Sequence, residues 1–282
     1  MRAVIPAAGF GTRFLPATKA IPKEMLPVCG KPAIQWVVEE AWDAGIREVV
    51  FVVSRGKACL EDHFCPSPEL EGFLRERGKL DLVERLRAIP PVRVISVRQH
   101  LPLGLGHAVW CAREAVGEEP FCVLLPDDLV CADSRPCIGQ LLEVYRREGL
   151  PVVALRRVPR QETRLYGVVE AEPLGGGLHR IRSVVEKPSP EEAPSELAIV
   201  GRYVLIPRVF EVLERTPPSG GEIQLTDALR ELASDPGLLG YEFQGERYDV
   251  GHPLGFMEAN LLFTLRDPEL GAEARRILRR IS

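Results

Sequence analysis

Residues 2–13, RAVIPAAGFGTR, open with a short apolar run that passes directly into a turn containing two glycines. Residues 2–6 are predicted to form a buried strand, and the glycines of 9–13 let backbone N–H groups approach a phosphate or a base. Residues 31–45 then repeat apolar side chains with a helical period, and EVVFVV at 48–53 reads as a second buried strand. This order of strand, helix and strand is a βαβ unit, which predicts an α/β fold.

The alternation continues through the first half of the chain. Predicted strands at 92–97 and 121–126 flank a predicted helix at 107–116. Beyond about residue 150, β-rich runs with turn signals take over, and helical patterns return at 207–214, 224–234 and 253–280. We predict one Rossmann-like, three-layer αβα domain over residues 1–282, with a mixed, mostly parallel central sheet and a β-rich extension. The charged segment 55–90 is predicted to be a helical insertion or a lid.

Composition excludes several classes of protein. The formal charge of −4 and the pI near 5.9 argue against a general nucleic-acid or membrane-surface binder, which needs a broad basic surface. The seven cysteines contain no C-x-x-C pair, and no stretch of about 18 apolar residues occurs. We therefore expect a cytoplasmic protein that binds small molecules at a local site.

The loop at 7–30 has the charges that a phosphate site requires. Only six of the 36 basic residues are lysines, and three of those six, Lys19, Lys23 and Lys31, lie with Arg13 within residues 7–31. This stretch cannot form an amphipathic helix, because Pro16, Pro22 and Pro27 interrupt it. Solvated lysines are the alternative, but a cationic clamp on a triphosphate fits the concentration of charge better. The pattern has no third glycine and no G-K-[ST], so it is neither a dinucleotide fingerprint nor a Walker loop.

Asp127 and Asp128 follow the predicted strand at 121–126. Ligands of such sheets bind beyond the carboxyl ends of the strands, where the loops at 7–30 and 98–106 also lie. A carboxylate at that rim is a usual ligand of hydrated Mg²⁺. The alternative is a turn or a helix cap, a role that Asp133 or Ser134 could also take.

Several motifs together resemble one family. G-x-G-T-R followed by P-A-T-K-A-x-P-K-E-M-L-P is similar to the signature of the sugar-phosphate nucleotidyltransferases, and in this extended form to the bacterial branch that joins UTP to glucose 1-phosphate. The resemblance continues over nearly the whole chain in RGKACLEDHF (55–64), GLGHAV (104–109), LLPDD (124–128), VVEKP (184–188), GEIQLTDA (221–228) and YDVGHPLGF (248–256). It departs at Leu103, where a lysine is expected, and at Cys29 and Gly30.

The resemblance implies a nucleotidyltransferase fold with a nucleotide-binding half at 1–150, a sugar-phosphate-binding half at 151–252 and C-terminal helices at 253–282. On the nucleotide side it assigns the uracil to Ala8, Gly9, Gln99 and Gly104, with Gln99 at the polar edge of the base, and it includes Gly11 and Thr12 in the substrate turn. Arg13 is expected to face the leaving pyrophosphate and Lys23 the α-phosphate.

On the sugar side the resemblance assigns the glucose hydroxyls to Glu186 and the phosphate of glucose 1-phosphate to Lys187, with Gly167 and Gly201 allowing close approach of the sugar. Asp127 is expected to bind Mg²⁺, with Asp249 as the second carboxylate. A homodimer or homotetramer is also implied.

The expected reaction is direct in-line attack of glucose 1-phosphate on the α-phosphorus of UTP, giving UDP-glucose and pyrophosphate. The nucleophile is already anionic, so no general base is required, and the five histidines are interpreted as structural or surface groups. Two alternatives remain open: the same chemistry with dTTP, and a non-catalytic sugar-nucleotide sensor on the same fold.

Overall fold

The computed structural model describes residues 1–132 and 134–281. Within these residues the chain forms thirteen strands. The strands are β1 (Ala3–Ala7), β2 (Pro27–Val28), β3 (Lys31–Pro32), β4 (Glu48–Val53), β5 (Arg93–Arg98), β6 (Phe121–Leu124), β7 (Asp128–Cys131), β8 (Val152–Arg157), β9 (Gly167–Gly175), β10 (Leu178–Glu186), β11 (Leu197–Leu205), β12 (Leu238–Glu242) and β13 (Glu246–Asp249).

The helices lie between and after these strands. They are α1 (Ala33–Asp43), α2 (Cys59–Asp62), α3 (Pro68–Glu76), α4 (Leu80–Arg87), α5 (Gly104–Cys111), α6 (Arg113–Val116), α7 (Cys137–Glu148), α8 (Arg208–Arg215), α9 (Leu225–Ser234), α10 (Pro253–Arg266) and α11 (Gly271–Ile281). In the described part of the chain, no helix has the length and apolar character needed to cross a membrane.

Nine of the strands form one sheet in the order β5-β4-β1-β6-β11-β8-β12-β10-β9. The pairings from β5 to β6 are parallel, as is β8 with β12, whereas β10 and β11 run against their neighbours. Most strands therefore point the same way, which confirms the prediction of a mixed, mostly parallel sheet.

Side chains of the central strands alternate between two hydrophobic cores, one on each face of the sheet. Ile5 and Phe51 pack with α1, α7 and α10, while Val4 and Val50 pack with α5, α8 and α9. Full burial of each such side chain contributes about 1.5–3 kcal/mol. The three-layer αβα arrangement follows directly, because a strand that is apolar on both sides needs helices on both faces.

The predicted elements need three corrections. The helix predicted at 107–116 begins at Gly104 and is divided into α5 and α6. The helix predicted at 253–280 ends at Arg266, because Asp267 precedes a proline and takes extended backbone angles. The ribbon of β7 with β13 and the strand β12 were not predicted, since short segments that pair over a long distance have no local signal. Asp133, considered as a helix cap, lies outside the described residues.

Candidate active site

Two adjoining cavities lie beyond the carboxyl ends of the parallel strands. The first, here called the loop cavity, has a volume of roughly 440 Å³ and is bounded by the glycine turn after β1. The second, called the hairpin cavity, has roughly 770 Å³ and is bounded by the β9–β10 hairpin. Leu105, Leu125 and Asp127 line both cavities. A ligand in one cavity can therefore contact a ligand in the other at Asp127.

The loop cavity contains most of the residues predicted to hold the nucleotide. Its lining includes Ala8, Gly9, Thr12, Lys23, Gln99 and Gly104. Gly11 does not line it. Instead Gly11 takes a φ of +67° and its carbonyl accepts a hydrogen bond of 2.7 Å from Thr18 Oγ1, so it shapes the turn that presents its neighbours.

The hairpin cavity contains the remaining predicted residues. Its lining includes Arg13, Gly167, Glu186, Lys187, Gly201 and Asp249. Glu186 lies opposite Gly167 in the β9–β10 pairing, and Lys187 Nζ is 3.3 Å from Glu186 Oε1. The Lys187 side chain is 58% exposed, so its charge faces the cavity without a strong partner.

Gly201 also has a packing role that the sequence does not reveal. Its backbone N–H donates to Asp128 Oδ2 at 2.8 Å, and an ideal Cβ at this position would lie 2.5 Å from the same oxygen. The bare Cα therefore lets the loop after β6 approach β11, in addition to any contact that Gly201 makes with a ligand.

Lys23 and Asp127 form an ion pair at the junction of the cavities, with 2.6 Å between Lys23 Nζ and Asp127 Oδ2. Burial alone would raise the pKa of Asp127, but the Lys23 ammonium and, more weakly, Arg247 hold that pKa below its ordinary value. Burial alone would lower the pKa of Lys23, and Asp127 raises it above its usual value instead. Both groups are therefore charged when no ligand is bound.

Asp127 and Asp249 face one small space. An ideal Cβ on Gly251 would lie 3.0 Å from Asp127 Oδ2 and 3.0 Å from Asp249 Oδ1. A backbone hydrogen bond of 2.8 Å from Val250 N to Asp127 O joins the two loops. Within the described residues no group of three or more His, Cys, Asp or Glu is placed to hold a metal. Two carboxylates suit a hard cation that takes its other ligands from water and phosphate, as Mg²⁺ does.

A buried polar network holds the loop that carries Asp127. Arg247 on β13 donates to Asp128 Oδ1 at 2.7 Å through Nε and to Tyr166 Oη at 2.8 Å. Arg202, fully buried on β11, contacts Glu40 on α1 at 2.7 Å and donates to the carbonyls of Leu125, Gly201 and Asp128. Sequence reasoning missed this network because its partners lie far apart along the chain.

Lys57 holds the backbone of the glycine turn through hydrogen bonds. Its ammonium donates to the carbonyls of Ala7 and Gly9 and lies 2.9 Å from the buried Glu24 carboxylate. Since Glu24 is adjacent to Lys23, this one lysine joins the end of β1 to the turn that presents Lys23. The one signal of this role in the sequence is that Lys57 is one of only six lysines in the chain.

Other lining residues were not predicted individually. Tyr166, Tyr203, Gln224, Thr226 and His252 line the hairpin cavity. The hydroxyl of Thr226 is buried and has no hydrogen-bond partner among the described residues, so it is an unsatisfied polar group within the cavity wall. Gln224 and Thr226 belong to the motif GEIQLTDA, which pointed to this region without assigning roles within it.

Comparison with known proteins gives a consistent result. The family model described as nucleotidyl transferase matches residues 2–265. The chain is 48% identical over 271 residues to UTP–glucose-1-phosphate uridylyltransferase of Bacillus subtilis (strain 168), covering 95% of this chain and 92% of that protein. Its fold is similar to a UTP-bound UGPase from Acinetobacter baumannii, with a TM-score of 0.93, 41% identity and coverage of 100% and 99% of the two chains. It is also similar to a UDP-glucose pyrophosphorylase complexed with UDP-glucose, with a TM-score of 0.86, 41% identity and coverage of 94% and 99%.

Proposed function

Because this chain belongs to the nucleotidyl transferase family, we propose that it transfers the uridylyl group of UTP to glucose 1-phosphate, giving UDP-glucose and pyrophosphate. The observation that carries the proposal is the pair of cavities that meet at Asp127 and Lys23. A nucleotide in the loop cavity and a sugar phosphate in the hairpin cavity would place their phosphates at this junction. Positioning of this kind is the main requirement of phosphoryl-type transfer.

We assign the nucleotide to Ala8, Gly9, Thr12, Gln99 and Gly104, with Gly11 shaping the turn that presents them, and the sugar phosphate to Gly167, Glu186, Lys187 and Gly201. Lys23 and Arg13 offset charge on the triphosphate as pyrophosphate leaves. The attacking oxygen belongs to a phosphate monoester that is anionic near neutral pH, so no residue has to remove a proton from it.

Family enzymes generally use a divalent metal, and we propose Mg²⁺ held by Asp127 and Asp249. When bound, the cation would neutralise phosphate charge and orient the α-phosphate. Lys23 then contributes in two ways: it attracts the nucleotide phosphates, and it keeps the Asp127 carboxylate ionised and ready to bind a cation.

The organisation of the chain suggests further proposals. We propose one domain over residues 1–282, with a nucleotide-binding half at 1–150 that includes the insertion 55–90, a sugar-phosphate-binding half at 151–252, and helices at 253–282. A cytoplasmic location and a homodimer or homotetramer remain predictions. The sensor alternative is disfavoured, because Arg13, Lys23, Asp127, Lys187 and Asp249 retain the charges that a non-catalytic relative would not need.

The activity is tested by measuring pyrophosphate release with UTP, dTTP, CTP, ATP and GTP, each paired with the 1-phosphates of glucose, galactose, mannose and N-acetylglucosamine. We expect UTP with glucose 1-phosphate to give the largest kcat/KM. A preference for dTTP or for another sugar would overturn the assignment, and the absence of release from every pair would favour the sensor.

Replacing Lys187 by arginine tests whether a compact charge is needed at the sugar phosphate. We expect Lys187→Arg to lower kcat/KM for glucose 1-phosphate on the order of 100-fold, nearly as much as Lys187→Ala, because the longer planar guanidinium displaces the phosphate from the line of attack. Steady-state kinetics measure the effect. Lys79→Arg, at an exposed residue immediately before α4, is the matched control and should be silent. A fully active Lys187→Arg enzyme would refute the geometric requirement.

A further inference from the structure

We infer that His107, together with the carbonyl of Gly104, fixes the side-chain amide of Gln99 in a single orientation and so makes the loop cavity select uracil against cytosine. The inference rests on the proposed function and adds a specificity-determining role for a histidine that would otherwise be a structural residue of α5.

The orientation of the Gln99 amide is fixed by what surrounds it. Gln99 Nε2 lies 3.1 Å from the carbonyl oxygen of Gly104 and 2.9 Å from His107 Nδ1. A backbone carbonyl only accepts hydrogen bonds, so the amide nitrogen, not its oxygen, must face Gly104. The second N–H of the amide then points at His107 Nδ1, which has to be the unprotonated nitrogen of the ring.

The imidazole is held in place to serve as this acceptor. The Trp110 ring stacks on it with 6.0 Å between centroids and an interplanar angle of 19°, and Cys111 Sγ lies 3.8 Å from Nε2. Burial lowers the pKa of His107, which keeps the ring neutral and Nδ1 available near neutral pH. Trp110, His107 and Gln99 thus form a short series of contacts that ends at the cavity wall.

The amide oxygen is left for the ligand. Among the described residues, none donates a hydrogen bond to Gln99 Oε1. Gln99 as a whole is only 8% exposed, but this oxygen is not fully buried. Gln99 lines the loop cavity, so the wall presents an acceptor to the base.

An acceptor at this point distinguishes the pyrimidines. The N3–H of uracil can donate a hydrogen bond to Gln99 Oε1. Cytosine N3 has no hydrogen and carries a lone pair, so it would face Oε1 as a second acceptor and be repelled. Without His107, only the 3.1 Å hydrogen bond to the Gly104 carbonyl would oppose a turn of the amide, and a turned amide would present Nε2 to the base and make cytosine acceptable. Uracil and its 5-methyl derivative have the same polar edge, so His107 should not affect discrimination between those two.

The test uses His107→Leu, which removes the acceptor, and His107→Asn, whose amide oxygen can replace Nδ1. Equilibrium dissociation constants for UTP, 5-methyl-UTP and CTP are measured without sugar phosphate, and kcat/KM values for the same nucleotides with glucose 1-phosphate. In His107→Leu we expect the preference for UTP over CTP to fall about tenfold or more, while the ratio of 5-methyl-UTP to UTP is unchanged. His107→Asn should recover most of the preference. His100→Leu, an exposed neighbour of Gln99, should behave as wild type.

Two results would overturn the inference: equal weakening of all three nucleotides in His107→Leu, which would indicate a purely structural role, or wild-type protein that binds CTP as tightly as UTP. A wild-type protein that binds UTP selectively but transfers nothing to glucose 1-phosphate would disprove the proposed function, and the binding measurements would still support the role of His107.

Discussion

Asp127→Asn is expected to lower kcat on the order of 10³-fold and to raise the Mg²⁺ concentration needed for half-maximal activity. The neutral amide is a poor ligand for a hard cation. It also removes the counterion that lies 2.6 Å from Lys23, so the ammonium is freed from its position at the junction. The effect is measured by steady-state kinetics over a titration of Mg²⁺.

The Mg²⁺ titration separates the two causes. If loss of a metal ligand dominates, excess Mg²⁺ should restore part of the activity; if displacement of Lys23 dominates, activity should be low at every Mg²⁺ concentration. Asp81→Asn, on an exposed face of α4, is the matched control and should leave kcat unchanged. Near-normal turnover of Asp127→Asn at ordinary Mg²⁺ would show that Asp127 serves only to shape a turn.

Arg202→Met should be the most damaging of the stability variants, because it leaves the Glu40 carboxylate buried without a counterion. Removing one partner of a buried ion pair costs about 3–5 kcal/mol. Three backbone carbonyls, those of Leu125, Gly201 and Asp128, lose a donor at the same time. We expect a fall in Tm of roughly 10 °C, measured by thermal denaturation followed by circular dichroism.

A double variant tests the reason for that loss. Glu40→Leu combined with Arg202→Met should be more stable than Arg202→Met alone, because it removes the unpaired charge. Arg208→Met is the control: its ion pairs with Glu211 and Asp235 are exposed, so it should change stability by no more than about 0.5 kcal/mol. An Arg202→Met protein as stable as the wild type would mean that the buried pair does not hold the loop.

The sequence predicted those parts of the molecule whose signals are local. Strand β4 lies at 48–53 as predicted, because a run of six largely apolar residues bounded by charges and turns allows few alternatives. The ribbon of β7 and β13 was missed, since Asp128 and Asp249 pair across more than a hundred residues and each strand is only four residues long.

The same distinction applies to the candidate site. Gln99 and Asp127 could be placed at the rim because motif positions follow strands. The contribution of Arg202 could not, because an arginine within an apolar strand is explained only by Glu40, 162 residues away in the chain. His107 was interpreted as structural because its effect depends on which way the Gln99 amide points, and that direction exists only in three dimensions.

The seam between α5 and residues 222–223 bears on how such an enzyme could change over evolution. Gly106 N donates to Ile223 O at 2.9 Å and Ile223 N to Leu103 O at 2.7 Å, and an ideal Cβ on Gly104 would lie 2.7 Å from Glu222 Cβ. The stretch that leads to Gln224 and Thr226 is thus fastened to the turn that receives the base. A descendant with a new sugar preference must keep this stretch in place and alter other lining residues of the hairpin cavity, such as those of the segment that precedes β9. Base choice and sugar choice can therefore diverge independently only through lining residues outside the stretch that is joined to α5.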